Sequence, residues 1–407
     1  HILRSRSAAG SGVANPGVAQ ETAVDGGIGN PILPCLRPPM PAAYWHMDLR
    51  FKRIGEYGDG AVGQGSFGTV FAGFDELTQV SVFIKRQPRD TPQAERETAC
   101  YNMLHAYRHP NIIQMVGLWI GYHLGQEYLY IAMEACSTTL WKFIRVDNPR
   151  SHEAYNRYGG PHKMLLDIVS ALWFLHVLGV THGDVSLSNV LLTAGGEVRL
   201  SDFGAVIAHT FLAQDPVCAA YVRSPEALLG SSEKGPAVDT WAVAIIAIAL
   251  WTGNVPTSTH DLPTDVTNDD HVFMAIARLL PPITKELWPA HSTLPRWKNF
   301  EPRLRVSPEN GTLRQFVEQY QIHPRDACPP SLTVALVELG LQWNPEHRHD
   351  MGYMENWTLD RFKLFQVPQG CQPEKCKRDS GGHPVKEEPR TYPDAAPASL
   401  GHQAESE

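Results

Sequence analysis

Eleven consecutive apolar residues, Trp241 to Trp251, form the longest such run in the chain. A bilayer-spanning helix needs about 20, so this tract predicts a buried helix instead. From Ala237 onward it is apolar nearly all round, with no polar face to offer water. A helix of that kind must be wrapped by other elements, which requires a large core. The chain has the means: 407 residues, 43% hydrophobic and 9% aromatic. Wholly disordered and collagen-like classes are excluded on that composition.

Charge and cysteine usage narrow the partners. Thirty-five basic against 43 acidic side chains leave a net charge of −8, so a phosphate-backbone ligand is not the first expectation and no nucleic acid partner is expected. No membrane association is expected either. The seven cysteines are odd in number and scattered, which suits a reducing compartment, cytoplasmic or nuclear, better than a disulfide framework. Residues 1–46 lack a basic region followed by an apolar stretch and cleavage site, so no secretory leader is expected.

Glycine and proline mark out the organisation. They make up 12 of the first 46 residues and 10 of the last 41, against 43 of the 320 between, which predicts flexible tails over 1–46 and 367–407 around a folded part at 47–366. Within that part, short alternating runs such as Gly68–Gly73 and Gln79–Ile84 predict strands. Helical periodicity then takes over, with Leu165, Leu166, Ile168, Val169, Leu172, Leu175 and His176 on one stripe. A small β-rich lobe precedes a larger helical one.

The chemistry lies in four stretches. Gly63-Gln64-Gly65-Ser66-Phe67-Gly68-Thr69-Val70 offers glycines that let backbone amides approach phosphates, although a plain turn would read the same way. Lys85 closes the apolar strand run Val82-Phe83-Ile84, from which an ammonium reaches phosphate oxygens or snorkels to the surface. His182-Gly183-Asp184-Val185-Ser186-Leu187-Ser188-Asn189 is followed by Asp202-Phe203-Gly204. Asp184 alone would read equally as a helix cap or a turn residue. Together, Asp184, Asn189 and Asp202 supply a base for a hydroxyl proton and hard oxygen ligands for magnesium on nucleotide phosphates.

In this order, with Ser224-Pro225-Glu226 following, these motifs resemble the eukaryotic protein kinases. The resemblance covers nearly all of 47–366. It implies an α+β, bilobal kinase-like fold, with an N-lobe at about 47–136 and a C-lobe at about 137–366. ATP and Mg2+ would be the cofactors and a protein the substrate. By resemblance, Lys85 holds the α and β phosphates and Glu97 is its helix partner. Asp184 is the catalytic base, and Asn189 and Asp202 are the magnesium ligands. The nucleotide pocket would take Gly63, Gln64, Gly65, Ser66, Phe67, Gly68, Val70 and Phe83 from the roof. Met133 as gatekeeper, with the backbone of Glu134 and Cys136, would form the hinge, and Leu191 the floor. Asp239 resembles the aspartate that anchors the catalytic loop, and Arg348 the partner of Glu226.

Within the family, Arg223 before Ser224-Pro225-Glu226 and the segment Leu287–Pro295 with its Trp288-Pro289 resemble the cyclin-dependent and MAP kinase (CMGC) group. Thr91–Glu97 is similar to that group's cyclin-contacting helix start, but Glu95 stands at an apolar anchor. Burying that carboxylate in a partner groove is costly, which makes a cyclin-like activator doubtful.

Four positions depart from the family pattern. Gly183 replaces an arginine that grips an activation-loop phosphate, and between Gly204 and Ser224 only Thr210 and Tyr221 carry hydroxyls. Activity independent of loop phosphorylation is therefore expected. Ser186 stands at a lysine that contacts the transferring phosphoryl group, and Ala219 at a threonine that braces Asp184. Losing one preorganised donor costs about 10²- to 10³-fold in rate. Phe83 stands where alanine covers the adenine ring, and either crowds the nucleotide or fills a looser roof. Two functions follow: an active serine/threonine kinase of reduced turnover, or a pseudokinase that binds or scaffolds. A small-molecule phosphotransferase, which shares His182-Gly183-Asp184, is disfavoured by Ser224-Pro225-Glu226 and the Trp288-Pro289 insert.

Overall fold

Six short strands in the first third of the chain pair antiparallel into one sheet, and the two runs expected from alternation fall on its third and fourth strands. In this computed structural model they are β1 (Phe51–Arg53), β2 (Ala61–Gly65), β3 (Gly68–Asp75), β4 (Val80–Pro88), β5 (Met115–His123) and β6 (Gln126–Glu134). Their order is β1-β3-β4-β6-β5, with β2 on the other end of β3. The structure describes residues 50–53, 61–65, 68–145, 158–208, 218–232, 235–257, 268–304, 312–320 and 330–363. Ser66, Phe67, Thr210 and the expected tails at 1–46 and 367–407 lie outside the described residues.

Register decides which side chains face the second lobe. Phe83 pairs with Ala72 and Met133, and Lys85 with Val70 and Ile131. Alternation sends Val82 and Ile84 to one face, where they pack with Phe51, Trp119, Tyr130 and Ala132. It sends Phe83, Lys85 and Gln87 to the other. Helix α1 (Pro92–Ala106) starts at Thr91, whose hydroxyl accepts from the Ala94 N–H at 3.2 Å, with Pro92 in the first turn. It buries Ala94, Glu97, Tyr101 and Leu104 at helical spacing, so a carboxylate belongs to its inward stripe.

The second lobe is helical: α2 (Leu140–Arg145), α3 (Gly160–Val177), α4 (Pro225–Leu228), α5 (Ala237–Thr252), α6 (Asn268–Leu279), α7 (Trp297–Leu304), α8 (Leu313–Tyr320), α9 (Pro330–Glu338) and α10 (Met351–Lys363). The apolar tract is α5, every residue of which from Asp239 to Thr252 is buried. Helices α3, α8 and α9 pack against it. Among the described residues no helix is long and apolar enough to cross a membrane.

One ion pair locks this lobe. The Arg348 guanidinium donates to both carboxylate oxygens of Glu226 at 2.7 Å, to the Ala237 carbonyl at 3.0 Å, and lies over the Trp241 ring. Its side chain has no exposure at all, and the fork geometry satisfies both acid oxygens. Arg348→Ala would leave Glu226 buried and unpartnered. The expected cost is about 3–5 kcal/mol, read as a drop in the denaturant midpoint; a loss below about 1 kcal/mol, the range of an exposed pair, would contradict the account.

Candidate active site

The site is built where the sheet's inner face meets a loop held by α5. Lys85 Nζ lies 3.0 and 2.8 Å from the two Glu97 oxygens and 2.8 Å from Asp202 Oδ1. Burial alone would pull this ammonium down, but the charges of Glu97 and Asp202 outweigh it and hold it above its ordinary value. Gln87, one step along the same strand face, donates to Glu97 Oε2 at 2.8 Å. Glu97 is fully buried, and burial raises its carboxyl above the ordinary value, against the charge of Lys85 and the hydrogen bonds from Lys85 and Gln87.

Asp202 follows the three-stranded sheet of β7 (Thr138–Thr139), β9 (Val190–Leu192) and β10 (Val198–Leu200). It adopts φ 66°, left-handed for a residue with a Cβ. Such strain persists only where the surroundings impose it. Here the ion pair to Lys85 and the Gly204 N–H on the same oxygen fix the turn.

The loop 182–189 hangs from Asp239 in the first turn of α5. Asp239 accepts the His182 N–H at 2.8 Å, the Gly183 N–H at 2.9 Å and His176 Nε2 at 2.8 Å. His182 Nε2 meets the Ser201 carbonyl at 3.1 Å while Nδ1 accepts from the Asp184 N–H. A carbonyl only accepts, so Nε2 carries the proton. Burial holds this imidazole below its usual value, and it stays neutral.

At the end of the loop, Asn189 Nδ2 donates to Asp184 Oδ2 at 2.9 Å and to the Asp184 carbonyl at 2.8 Å. That leaves Asn189 Oδ1 as its remaining acceptor. Asp184 Oδ1 accepts from the backbone N–H of Ala219 at 3.0 Å. The main chain thus supplies a brace where the missing threonine hydroxyl would stand. Desolvation pushes the Asp184 carboxyl up to about 7, against the hydrogen bonds from Ala219 and Asn189.

The other residues expected at the pocket fall around this group. Met133 and Cys136 are buried and Glu134 half-buried. The Glu134 N–H donates to the Gln114 carbonyl, and its side chain pairs with Arg199 at 2.9 Å. Burial raises the Cys136 thiol to about 12, so it is not a nucleophile at neutral pH. Leu191 is half-buried between buried Val190 and Leu192. Phe83, also half-buried, shares the Lys85 face. Gly63, Gln64 and Gly65 run along β2 opposite Val70, Thr69 and Gly68. Gly68 has φ 147°, and a Cβ there would come within 2.4 Å of the Arg86 carbonyl, so only glycine fits.

Sequence reasoning missed three contacts. Tyr101 stacks edge-on to Phe203 at 5.2 Å and His182 lies 5.4 Å from Phe203, so one aromatic column ties α1 to the loop; the 94/97/101/104 stripe signalled it. Arg96 Nε donates to the Gly204 carbonyl at 2.9 Å. The chain after Gly204 forms β11 (Ile207–Ala208), pairing antiparallel with β8 (Val180–Thr181).

Comparison with known proteins agrees with this geometry. The family described as protein kinase domain matches residues 58–352. Cyclin-dependent kinase 10 of Bos taurus is 27% identical over 325 residues, covering 77% of this chain and 80% of that one. Glycogen synthase kinase 3 of Trypanosoma brucei brucei is 30% identical over 225 residues, 51% of this chain and 61% of that one. The serine/threonine-protein kinase PAK mbt of Drosophila melanogaster is 27% identical over 288 residues, 68% of this chain and 40% of that one. The chain belongs to the protein kinase family, has its bilobal fold, and is similar to the CMGC group within it. Members of this family in general use ATP and Mg2+, and a carboxylate plus an amide oxygen is a donor set that suits magnesium.

Gly183 marks the clearest departure. Its φ is 77°, and a Cβ would lie 2.6 Å from the Ala205 carbonyl and 3.6 Å from the Ile207 side chain. Gly183→Ala is expected to cost about 1–3 kcal/mol in chemical unfolding; an unchanged midpoint would show that the loop relaxes freely.

Proposed function

We propose that the chain is an ATP-dependent serine/threonine protein kinase of the cyclin-dependent kinase-like kind that transfers the γ-phosphoryl group of ATP to protein hydroxyls. The observation that carries this is the closed polar cluster. Lys85 is in ion-pair range of both Glu97 and Asp202, while Asp184 is oriented by Asn189 and Ala219. Magnesium, when bound, screens phosphate charge. Asn189 and Asp202 would hold it, and Lys85 would position the α and β phosphates with Glu97 keeping its ammonium in place. Asp184 would accept the proton of the acceptor hydroxyl. Phe83, Val70, Met133, Leu191 and the backbone of Glu134 and Cys136 would enclose the purine together with residues 63–68.

The same chemistry bears on partners and place. Glu95 is exposed in the first turn of α1, which supports a reading without a cyclin-like activator seated there. A cytoplasmic or nuclear setting suits the buried free thiols of Cys100 and Cys136.

A second reading, a pseudokinase, is favoured by one observation: Phe83 lies on the Lys85 face of β4 between Ala72 and Met133. Phosphate transfer to a peptide mixture by the wild type and by Asp184→Ala, alongside the thermal shift with magnesium ATP, separates the two. The kinase reading expects transfer that Asp184→Ala lowers by about 10³-fold or more. A shift without transfer would support the pseudokinase.

A base is active when ionised, so transfer is expected to rise about tenfold per pH unit below about 7 and level off above it. Initial rates from pH 6 to 8.5 check this. A flat profile would remove Asp184 from the role of base.

A further inference from the structure

Tyr221 reaches the catalytic loop from the opposite side and has no part in the reading above. It sits in a single turn, Ala220–Val222, just ahead of α4. Its phenol oxygen accepts the Leu187 N–H at 2.9 Å. The Leu187 carbonyl accepts the Trp141 N–H at 2.8 Å, and the Trp141 ring leans on that of Tyr221 with centroids 5.7 Å apart. Thr257 in turn donates its hydroxyl to the Tyr221 carbonyl. Both backbone groups of Leu187 are therefore gripped, and the group that grips its amide is itself anchored from behind. Burial, the largest influence on the phenol, keeps it protonated at neutral pH, so the clamp is a neutral hydrogen bond that ordinary changes of pH leave intact.

Two side-chain contacts that the kinase resemblance assigns to this region are missing, the lysine at Ser186 and the threonine at Ala219. Two others occupy the same stretch. The Ala219 amide takes one oxygen of Asp184, and the Tyr221 hydroxyl takes the Leu187 amide three positions downstream. We infer that Tyr221 is a positioning residue for phosphoryl transfer, its hydroxyl fixing the Leu187 amide so that Asp184 keeps its aim at the acceptor. The inference rests on the kinase reading for its catalytic consequence. The clamp itself does not.

Tyr221→Phe keeps the ring and removes only the hydroxyl. Two measurements on the full-length protein decide the matter. In steady-state assays the variant is expected to lose about tenfold or more in kcat with the KM for ATP unchanged, the pattern of an interaction felt in the transition state rather than in nucleotide binding. In hydrogen–deuterium exchange the Leu187 amide is expected to exchange about 5-fold faster or more, the scale of one lost hydrogen bond, while α5 and α3 keep their protection. A kcat within about twofold of the wild type, or an unchanged Leu187 amide, overturns the inference. So does accelerated exchange across α3 and α5 with a matching loss of folded protein, which would make Tyr221 a support of the fold at large. Should the wild type itself transfer no phosphate, the kinase reading fails, and the exchange measurement alone then upholds or overturns the clamp.

Discussion

The Lys85 ammonium, 2.8 Å from carboxylates on two different elements, is the contact on which the active-site geometry depends. Glu97 belongs to α1, Asp202 to the turn after β10, and Lys85 to β4. Each of these charges is costly to bury alone, so the three pieces of backbone are stable in this arrangement only together. Joining them sets the separation of the two lobes at the cleft. It also holds Asp202 in its left-handed conformation, and with it the Phe203 ring between Tyr101 and His182. The Asp239 hydrogen bonds then carry that order into the loop with Asp184 and Asn189.

By the kinase resemblance, an arginine that receives a phosphate would stand at Gly183. Here the same neighbourhood is closed by shape. Gly183 lies against the Ala205 carbonyl and near the Ile207 side chain, and Ile207 is paired into a strand with Thr181. Arg96, a remaining cation close by, is committed to the Gly204 carbonyl. A glycine, an isoleucine and a carbonyl offer no receptor for a dianion. Ile207 and Ala208 are held by main-chain pairing with Thr181 and Val180.

Much of this was legible in the amino acids. The all-apolar circumference of α5 required a surrounding helical lobe. The spacing of Lys85, Asp184, Asn189 and Asp202 placed them in one site because their order matches a single chemical task. The contacts of Asp239 with the loop and of Arg348 with Glu226 appear as the resemblance implied. What could not be read were contacts made by main-chain atoms, since an N–H belongs to every residue: the brace from Ala219 to Asp184 leaves no mark in a sequence that shows only a lost threonine. The Tyr221 hydroxyl was visible as a residue but not as a clamp, because its partner, the Leu187 amide, is defined by the fold. Phe83 could be placed on the Lys85 face by alternation alone, whereas its neighbours Ala72 and Met133 follow from strand register, which distant segments fix.

The proposed site is expected to assemble without a phosphate on the segment that follows Gly204. The direct measurement is the rate of γ-phosphoryl transfer to peptide by the protein before and after complete dephosphorylation, with mass spectrometry to verify the modification state. Rates that agree within about twofold are expected. A fall of about tenfold or more, equal to about 1.4 kcal/mol of transition-state stabilisation, would contradict it and mean that a phosphate, not packing around Gly183 and Ile207, holds the site together.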